Sequence, residues 1–447
     1  MKKLFGTDGI RGVAGVAPLD ERTIYAIGLA LAVTLKTGAE TPRVLLGMDT
    51  RESSEGIATV LTAGLDAGGA SVENAGVITT PAVAHLAHAH GFAAGVVISA
   101  SHNPWEDNGI KLFGPDGFKL PDATELAIEE EIFRQLGAEF EASGLVAPAV
   151  NEADRAEYVR FLLAAVPGLS LDGKRIVIDC ANGAASAVAP QLFADLGGTV
   201  LVTHASPTGR NINLGCGALH PEVVAAEVVR HEAAIGITFD GDADRVLFAD
   251  ETGKVVNGDA VLLLAARDLH ARGELAGATV VATTMSNMGL EAALRRSGIA
   301  MLRAPVGDKY VLEQMLATGA TLGGEQSGHI IFSGRSTTGD GLLTALLVLD
   351  IVHRSGKSLA ELTADLKTFP QVIVNVKVRE KRPLEGIPAV AAAIAAADEA
   401  LAGTGRVVIR YSGTEALARV MIEAEDREEM TEHAEAIAGA IRAELGV

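Results

Sequence analysis

A pattern of strands and polar loops occurs three times along the chain and constrains the fold more than any other feature. In each copy a buried strand ends in a polar turn, a helix follows, and a second strand comes after a turn of small residues. A third strand then ends in a loop rich in polar side chains. Because strands that alternate with helices form largely parallel sheets, each copy predicts an α/β domain. The predicted strands are 44–46, 69–73 and 95–98, then 175–178, 198–202 and 234–239, then 278–282, 298–302 and 320–322.

The C-terminal part of the chain differs from these copies and predicts a small α+β domain. Residues 371–379 alternate apolar with polar side chains, an alanine-rich helix is expected at 389–402, and strands are expected at 406–409 and 419–423. We therefore predict three similar mixed α/β domains in series plus a smaller C-terminal α+β domain, around a central cleft. The expected domains are residues 1–152, 153–255, 256–368 and 369–447.

Composition and charge exclude several classes of function. The chain has 447 residues and a formal net charge of −20, so nucleic acids and acidic membranes would be repelled. Its two cysteines cannot form a disulfide framework, and no cysteine or histidine spacing suggests zinc. Two lysines near the N-terminus are followed by a glycine-rich segment instead of an apolar one, which argues against a signal peptide. The longest apolar run, 342–349, is too short to span a membrane, and we expect a cytoplasmic protein.

The loop after the third strand of the first copy carries a candidate nucleophile. The strand at 95–98 ends in the sequence SASHN, and the next residue is a proline, which prevents the strand from continuing. Ligands of open α/β sheets bind at the carboxyl ends of strands. Ser101, with His102 beside it and Lys111 close in sequence, is therefore a candidate for covalent catalysis. Taken alone, such a loop could also be a polar turn whose side chains satisfy backbone groups.

The corresponding loop of the second copy has the sequence DGDADR and predicts a site for a divalent cation. Asp240, Asp242 and Asp244 repel one another unless a cation neutralises them, and carboxylate oxygens are ligands that Mg²⁺ and Ca²⁺ prefer. The spacing also resembles the start of an EF-hand. That motif needs glycine at its sixth position, where this chain has Arg245, and the flanking segments are predicted strands. A solvated acidic turn is the remaining alternative.

Two further loops have side chains that suit a phosphorylated sugar. The loop GGEQSGH supplies Glu325, Ser327 and His329, which can bind sugar hydroxyls. Asn211 and Asn213 could do the same or merely form turns. The loop RYSGT offers a guanidinium, two hydroxyls and glycine-freed backbone N–H groups, a composition typical of phosphate sites, although an ordinary hairpin turn is the alternative. Its candidate phosphate-binding residues are Arg410, Ser412, Gly413, Thr414 and, nearby, Arg419.

Together these loops contain what a phosphoryl transfer on a sugar phosphate requires. The glycine-rich segment 5–12, FGTDGIRG, is predicted to be a loop that presents Arg11. The other loops offer a serine, a trio of metal-binding carboxylates, a group of residues for hydroxyls and a phosphate site. We therefore predict phosphoryl transfer on a phosphorylated sugar, with the serine as the covalent carrier.

Five motifs of the chain resemble those of the α-D-phosphohexomutase family in order and in approximate spacing. They are FGTDGIRG, ISASHNP, DGDADR, GGEQSGH and RYSGTE, and the resemblance covers essentially the whole chain, including the four-domain plan. The resemblance implies a phosphoserine at Ser101 and Mg²⁺ held by the serine phosphate together with the three aspartates. It also implies sugar contacts from Glu325 and Ser327 and a distal phosphate bound by the RYSGT loop and Arg419. The chain departs from the family where Tyr411 and Ala416 replace prolines, which predicts altered loop stiffness with phosphate binding retained.

Within the family, the resemblance is strongest to bacterial members that act on glucosamine phosphates. It implies reversible conversion of glucosamine 6-phosphate to glucosamine 1-phosphate through a 1,6-bisphosphate, which supplies UDP-N-acetylglucosamine synthesis. A sugar 1,6-bisphosphate is the expected activator, glucose and mannose phosphates are the alternative substrates, and a homodimer is compatible with the sequence. The residues expected to assist electrostatically or with protons are Arg11, His102, Lys111 and Arg245.

Two other interpretations of these residues remain open. In the first, Asp240 is itself the nucleophile, as in phosphatases whose Asp-x-Asp sequence follows a strand. In the second, the protein binds or senses a sugar phosphate without catalysis. The intact serine loop argues against this second interpretation, because a binding protein does not need a nucleophile.

Overall fold

The computed structural model of the chain describes residues 3–36, 40–137, 139–141, 144–402, 404–411 and 416–447. These residues fall into two compact units. The first comprises Met1–Met285 and Ile299–Ala364, and the second comprises Ser286–Gly298 and Asp365–Val447. None of the described helices is long and apolar enough to cross a lipid bilayer.

The first unit begins with a five-stranded mixed sheet and its helices. In chain order these elements are β1 (Ile10–Val13), α1 (Glu21–Leu35), β2 (Arg43–Met48), α2 (Ser54–Ala67), β3 (Ser71–Val77), α3 (Thr80–Ala89), β4 (Ala94–Ile98), β5 (Asp107–Phe113) and α4 (Asp122–Gln135). The strand order is β1-β5-β4-β2-β3. Strand β2 runs parallel to β3 and β4, whereas β5 runs antiparallel to β4 and β1.

A second five-stranded sheet follows with the order β10-β9-β8-β6-β7. Its elements are α5 (Glu152–Ala164), β6 (Arg175–Asp179), α6 (Ala189–Asp195), β7 (Thr199–Thr203), α7 (Pro221–Arg230), β8 (Ile235–Phe239), β9 (Val246–Asp250) and β10 (Val255–Val256). Strand β6 is parallel to β7 and β8, and β9 is antiparallel to β8 and β10.

A third sheet has four strands in the order β12-β11-β13-β14. Its elements are α8 (Gly258–Ala271), β11 (Thr279–Thr283), β12 (Ala300–Ala304), α10 (Asp308–Thr318), β13 (Leu322–Gly324), β14 (Ile330–Phe332), α11 (Gly341–Ser355) and α12 (Leu359–Thr363), while α9 (Met288–Arg296) belongs to the second unit. Strand β11 is parallel to β12 and β13, and β14 is antiparallel to β13.

The three sheets repeat one arrangement, which confirms the threefold pattern read from the sequence. In each, a central strand has two parallel neighbours, and the second of these continues through a polar loop into an antiparallel strand. The loops occupy equivalent positions after β4, β8 and β13. The fold class of three similar mixed α/β domains is therefore confirmed.

The segment 5–12 corrects one sequence expectation. It was expected to be a loop throughout, but Ile10–Val13 forms the edge strand β1, in which Ile10 pairs with Ile110 of β5. Short glycine-rich segments have weak strand propensity, so it is the open edge of β5 that determines this strand. Arg11 consequently projects from a strand anchored to the same sheet as the serine loop.

The second unit contains a three-stranded antiparallel sheet with the order β15-β17-β16. Its further elements are β15 (Gln371–Lys377), α13 (Pro388–Ala400), β16 (Gly405–Tyr411), β17 (Leu417–Ala424) and α14 (Arg427–Leu445). This confirms a small α+β domain. Strand β16 is longer than the sequence predicts, so Arg410 and Tyr411 lie at the end of a strand and not in a loop.

Helices α1 and α2 pack closely because each presents a glycine to the other. A Cβ atom on Gly28 would lie 2.3 Å from the carbonyl oxygen of Leu61, and one on Gly64 would lie 2.2 Å from that of Tyr25. Neither helix can move away without loss of core packing, because Ile27 of α1 and Leu61 of α2 are fully buried in the hydrophobic core. The two glycines therefore set the separation of the helices.

We expect Gly64→Ala to destabilise the protein by about 1–3 kcal/mol, because the added methyl group would overpack the contact between the two helices. Gly56→Ala is the matched control, since Gly56 lies on the same helix with open space around its Cα and alanine favours helix by about 0.5–1 kcal/mol. Thermal unfolding followed by circular dichroism compares the two. Equal midpoints for the two variants would contradict this account of the interface.

Candidate active site

The three equivalent loops of the first unit meet at one place. Ser101, after β4, donates a hydrogen bond from Oγ to Oδ2 of Asp240, after β8, over 2.6 Å. In turn Asp244 lies 3.7 Å from Nδ1 of His329, in the loop after β13. Residues predicted separately from three sheets are thus neighbours, because parallel strands bring their carboxyl ends to one edge of each sheet.

Ser101 is held in a strained backbone conformation. Its φ angle is +53°, in the left-handed region, where a residue other than glycine costs of order 1–3 kcal/mol. Its side chain is buried, and its N–H donates to Oγ of Ser99 over 2.9 Å. The strain is maintained by the contacts of the surrounding loop, which fix the direction of the Ser101 hydroxyl.

The main support of this loop is Arg51, which the sequence analysis did not identify. Its Nε donates to Oδ2 of Asp49 over 2.8 Å, and both side chains are fully buried. Its two terminal nitrogens donate to four backbone carbonyl groups of the serine loop, which are those of Ser101, Asn103, Pro104 and Asp107. A guanidinium has five donors in a fixed plane, so no other side chain could bind this set of oxygens.

Asn213 also supports the serine loop, whereas the sequence left its role open between a sugar contact and a turn. Its Nδ2 donates to the carbonyl oxygens of Ser101, at 2.9 Å, and Asn103, at 3.2 Å. Asn211 forms a turn, since its side-chain oxygen accepts from the N–H of Thr208 over 2.8 Å. For Asn213 the structure therefore indicates a positioning role.

The three aspartates of the second loop form a cluster suited to a metal ion. Each offers a carboxylate oxygen that lies within 4.8 Å of the other two, and all three residues are buried. Oδ1 of Asp242 and Oδ1 of Asp244 are buried without a hydrogen-bond partner, which is costly unless a cation completes the site. The loop lies between strands β8 and β9, so the EF-hand stays excluded. Three hard oxygen donors fit Mg²⁺.

The surroundings of the cluster shift the pKa values of Asp240 and Asp244 in opposite directions. Burial raises the pKa of Asp240 well above its usual value, and the negative charges of Asp244 and Asp242 raise it further. Burial also favours protonation of Asp244, but the positive charge of Lys111 and the imidazole of His329, 3.7 Å away, outweigh it and lower the pKa. Asp244 is therefore held as a carboxylate, whereas for Asp240 the hydrogen bond from Ser101 lowers the pKa but does not outweigh the rise.

Lys111, on β5, is the cation closest to the aspartates. Its Nζ lies 2.7 Å from Oδ2 of Asp242, 3.0 Å from Oδ2 of Asp8 and 3.6 Å from Oδ2 of Asp244. Burial disfavours its charge, but the attraction of Asp242, Asp8 and Asp244 is stronger and raises the pKa of Lys111 above its usual value. Lys111 therefore stays protonated, and it can act electrostatically but not as a general base.

Asp8 is a second residue that the sequence analysis missed, although it lies in the motif that contains Arg11. Its carboxylate contacts Lys111, Arg11 and Lys119, and the last of these also contacts Asp308 at the start of helix α10. Burial opposes its charge, but these three cations hold the pKa of Asp8 well below its usual value. Arg11 in addition donates to the carbonyl oxygen of Ala100 over 3.2 Å.

His102 is the neutral base nearest to the serine. Its Nδ1 lies 3.3 Å from Oγ of Ser101. Burial, together with the positive charges of Arg245 and Arg11, lowers the pKa of His102 to about 4. The imidazole is therefore uncharged near neutral pH and can accept a proton.

The residues predicted for sugar hydroxyls lie beside this cluster. Glu325 accepts from the N–H of Gly307 over 3.0 Å and from Oγ of Ser327 over 3.2 Å. His329 is buried and accepts from the N–H of Gly339 at Nε2 over 3.0 Å, so its Nδ1 carries the proton and faces Asp244. Both ring nitrogens of His329 thus face protein groups, Nδ1 towards Asp244 and Nε2 towards the N–H of Gly339.

A cleft of about 370 Å³ opens onto these residues. Its volume lies in the range of about 300–1,000 Å³ typical of small-molecule sites. The polar side chains that line it come from all three sheets of the first unit and include Asp8, Arg11, His102, Asp244, Arg245, Asp308, Glu325 and His329. The lining contains both anionic and cationic groups, as a phosphorylated sugar with hydroxyls would require.

In the second unit, Arg410 and Arg419 are directly opposite each other on the antiparallel strands β16 and β17. Like charges at such a cross-strand position destabilise a sheet unless other groups compensate them, and an anion between them would do so. Ser412, Gly413 and Thr414, the other residues predicted for phosphate, lie outside the described residues. The phosphate site therefore stays a prediction.

Family models for four successive domains match the chain. They are phosphoglucomutase/phosphomannomutase alpha/beta/alpha domain I at residues 2–138, domain II at 156–253, domain III at 257–369, and the C-terminal domain at 373–440. The chain belongs to the phosphoglucomutase/phosphomannomutase family. This confirms the resemblance seen in the five motifs, and the four matches follow the order of the predicted domains.

Relatives within this family are similar over the full chain. A phosphoglucosamine mutase from Koribacter versatilis (strain Ellin345) is 59% identical, covering 100% of this chain and 98% of the relative. One from Solibacter usitatus (strain Ellin6076) is 54% identical, covering 100% and 99%. Among solved structures, a phosphoglucomutase/phosphomannomutase family protein from Burkholderia thailandensis has a TM-score of 0.81 at 25% identity, with 99% of each chain covered. An N-acetylphosphoglucosamine mutase from Aspergillus fumigatus shares the fold, with a TM-score of 0.66 at 22% identity and with 99% and 96% covered.

We expect Arg51→Ala to destabilise this family member by about 3–5 kcal/mol, because the substitution leaves Asp49 as a buried charge without its partner. Arg43→Ala is the matched control. Its ion pair with Glu73 is half exposed, so the loss should be about 1 kcal/mol or less. Thermal unfolding measures both.

A double variant separates the charge from the lost hydrogen bonds. Asp49→Asn in the Arg51→Ala background removes the orphaned carboxylate, so it should recover part of the lost stability. A double variant no more stable than Arg51→Ala would show that the buried charge is not the cause.

Proposed function

We propose that the protein is a phosphoglucosamine mutase, which reversibly converts glucosamine 6-phosphate to glucosamine 1-phosphate. The observation that carries this proposal is the contact between Ser101 and Asp240, because it joins a nucleophile to a buried cluster of carboxylates, one of which, Asp244, lines a polar cleft. Two relatives that span the whole chain at 54–59% identity have this name. The product would supply UDP-N-acetylglucosamine synthesis in the cytoplasm.

In this proposal Ser101 carries a phosphoryl group between the two positions of the sugar. The free hydroxyl of the sugar phosphate attacks the phosphorus of phosphoserine 101, so a new P–O bond forms while the bond to Oγ breaks, giving a 1,6-bisphosphate. The bisphosphate then reverses its orientation, and Oγ takes the other phosphoryl group. The net result is that the phosphate of the sugar has moved from one position to the other, and the serine is phosphorylated again. Free sugar 1,6-bisphosphate would reload the serine and act as activator.

The side chains around Ser101 have distinct parts in this scheme. His102 is uncharged and within 3.3 Å of Oγ, so it is placed to accept the proton of the Ser101 hydroxyl when that oxygen takes a phosphoryl group from the bisphosphate. Arg11, Lys111 and Arg245 stay positively charged and stabilise the negative charge on the transferring group. Arg51 and Asn213 hold the backbone of the serine loop, which keeps Oγ aligned with the phosphoryl group that it gives and takes.

Asp240, Asp242 and Asp244, together with the phosphate on Ser101, would hold one Mg²⁺. The ion supplies positive charge that stabilises the transferring phosphoryl group. The unpartnered oxygens of Asp242 and Asp244 support this assignment, because they are buried and available as ligands.

The sugar and its second phosphate would be bound by the remaining predicted residues. Glu325 and Ser327 would accept and donate hydrogen bonds to sugar hydroxyls, with His329 orienting Asp244 behind them. The distal phosphate would be bound by Arg410, Ser412, Gly413, Thr414 and Arg419. Backbone N–H donors suit this role, because the site has to accept either phosphate of the bisphosphate. We also propose the four domains at 1–152, 153–255, 256–368 and 369–447.

We expect Ser101→Ala to lower turnover by more than about 10³-fold, because the phosphoryl carrier is lost. Mass spectrometry of the active wild-type protein should find one phosphate on the peptide that contains Ser101, and none in the variant. Hydroxylamine treatment is the control for a nucleophilic Asp240, since it cleaves an acyl phosphate but leaves phosphoserine intact. Loss of the phosphate on hydroxylamine treatment, or substantial turnover by the variant, would assign the carrier to another residue.

The substrate is tested by turnover of glucosamine, glucose and mannose phosphates in parallel, with Mg²⁺ and a trace of the matching 1,6-bisphosphate. We expect kcat/KM to be highest for the glucosamine compound. Chelation of Mg²⁺ should abolish turnover and its replacement should restore it. Higher kcat/KM with glucose or mannose phosphates would leave the proposed mechanism unchanged but assign a different substrate. No turnover of any of the three sugar phosphates would contradict the proposed function.

A further inference from the structure

Three side chains with different metal-binding chemistry meet away from the aspartate trio. Asp179 is the last residue of β6, His204 directly follows β7, and Cys216 lies before helix α7. Each offers one ligand atom, a carboxylate oxygen, an imidazole nitrogen and a thiol sulfur, and these atoms all lie within 4.8 Å of one another. Strands β6 and β7 are parallel neighbours, which explains why residues so far apart in sequence share one edge of the sheet.

The backbone around these ligands is held in place before any ion binds. The two oxygens of Asp179 accept from the N–H groups of Ala181 and Gly217, each over 2.9 Å. The N–H of Asn182 donates to the carbonyl oxygen of His204 over 2.6 Å. Asp179 and Cys216 are fully buried, so a ligand here would be largely shielded from water. Preorganisation of this kind reduces the cost of binding.

The side chains of the cluster are not fully satisfied by one another. In the described residues Asp179 has no salt bridge to a lysine or arginine, and its only ionisable basic neighbour is His204. Nδ1 of His204 lies 3.2 Å from Oδ1 of Asp179, but the ring is not aligned for a hydrogen bond, and this buried nitrogen has no hydrogen-bond partner. This nitrogen is therefore not committed to a hydrogen bond, and in the tautomer that carries the proton on Nε2 it can ligate a cation. The His204 side chain as a whole is 33% exposed, so this ligand lies on the solvent side of the cluster.

We propose that Asp179, His204 and Cys216 form a binding site for a soft divalent cation, with Zn²⁺ as the best fit. Sulfur and imidazole nitrogen are ligands that Zn²⁺ prefers, whereas Mg²⁺ takes oxygen, so this site and the aspartate trio differ in the metal they select. On binding, the thiol of Cys216 releases its proton to solvent and its sulfur becomes a ligand. Water on the exposed side of His204 would supply the fourth position of a tetrahedral site.

The same segment of chain connects this site with the serine loop. The N–H of Asn213 donates to the carbonyl oxygen of Ala181 over 2.9 Å, and its side chain donates to that of Ser101 over 2.9 Å. Three residues later the segment reaches Cys216. An ion that draws Cys216 towards Asp179 would therefore pull on the support of Ser101, and Zn²⁺ should slow the reaction. This consequence, unlike the binding itself, rests on the proposed mutase function.

Cobalt provides a direct test of binding, because Co²⁺ substitutes for Zn²⁺ and shows a thiolate-to-metal charge-transfer band in the near ultraviolet when cysteine is a ligand. One equivalent of Co²⁺ added to the full-length protein in excess Mg²⁺ should produce this band, and one equivalent of Zn²⁺ should abolish it. Cys216→Ser and His204→Ala should lose or strongly weaken the band.

Cys180→Ser is the matched control, since Cys180 is equally buried and adjacent to Asp179 but is not a ligand. It should keep the band, and circular dichroism confirms that each variant is folded. A wild-type protein without the band, or a band that persists in Cys216→Ser, would overturn the proposal. His204→Ala affects a partly exposed side chain, so it tests the site even if Cys216→Ser fails to fold.

Turnover tests the connection to Ser101 separately. At saturating Mg²⁺, one equivalent of Zn²⁺ should lower the turnover of the wild type and of Cys180→Ser at least several-fold, and it should leave the turnover of Cys216→Ser at its own metal-free value. Equal sensitivity in all three proteins would assign the inhibition to the aspartate trio and overturn the connection. The cobalt band does not depend on activity, so failure of the mutase proposal and failure of the metal site give different results.

Discussion

The placement of Ser101, the proposed phosphoryl carrier, depends on one buried arginine. Arg51 donates to four carbonyl groups of the loop that carries Ser101 and pairs with Asp49, which also accepts from Oγ of Ser99. Backbone carbonyls of a tight loop would otherwise repel one another, and the φ angle of Ser101 is unfavourable on its own. The planar guanidinium of Arg51 lies among these carbonyl oxygens and donates hydrogen bonds to them. These hydrogen bonds hold the backbone of the loop, so the hydroxyl of Ser101 does not have to support it and can face Asp240 instead.

The repeated domain architecture explains why such a site can be assembled from three separate sheets. Each domain places its polar loop between a parallel strand and the antiparallel strand that follows it, so both ends of the loop are anchored in the same sheet. Short anchored loops lose little entropy when they are ordered. Contacts such as that of Thr80, whose Oγ1 donates to Asp242 over 2.5 Å, then join one domain to the loop of the next. Rigid elements with loops fixed at both ends can hold donors and acceptors at the separations that phosphoryl transfer requires.

The residues of the site that lie in short polar motifs could be predicted from the sequence. Residues whose role depends on contacts with distant parts of the chain could not. Ser101 and the aspartates could be found because each follows a buried strand with too many polar groups for a simple turn. Arg51 follows β2 in the same way, but no local signal shows that its guanidinium reaches carbonyls in another loop. For Asn213 the residue type allowed two roles, and only its position beside Ser101 distinguishes them. Strand β1 was missed because its pairing partner, β5, lies about a hundred residues away.

Phosphorylation of Ser101 and metal binding should depend on each other. In the unmodified protein the hydroxyl of Ser101 stabilises Asp240 by donating a hydrogen bond, while Lys111 compensates Asp242 and Asp244. A phosphate on Ser101 removes that donor and adds a charge of about −1.5 to −2 beside three buried carboxylates. Lys111 and Arg245 alone cannot balance this amount of negative charge, and burial raises the energy of any excess. A divalent cation among the carboxylates removes the imbalance. In the proposed mechanism a phosphate on Ser101 would therefore favour occupation of the metal site, and a metal ion there would in turn stabilise the phosphorylated protein.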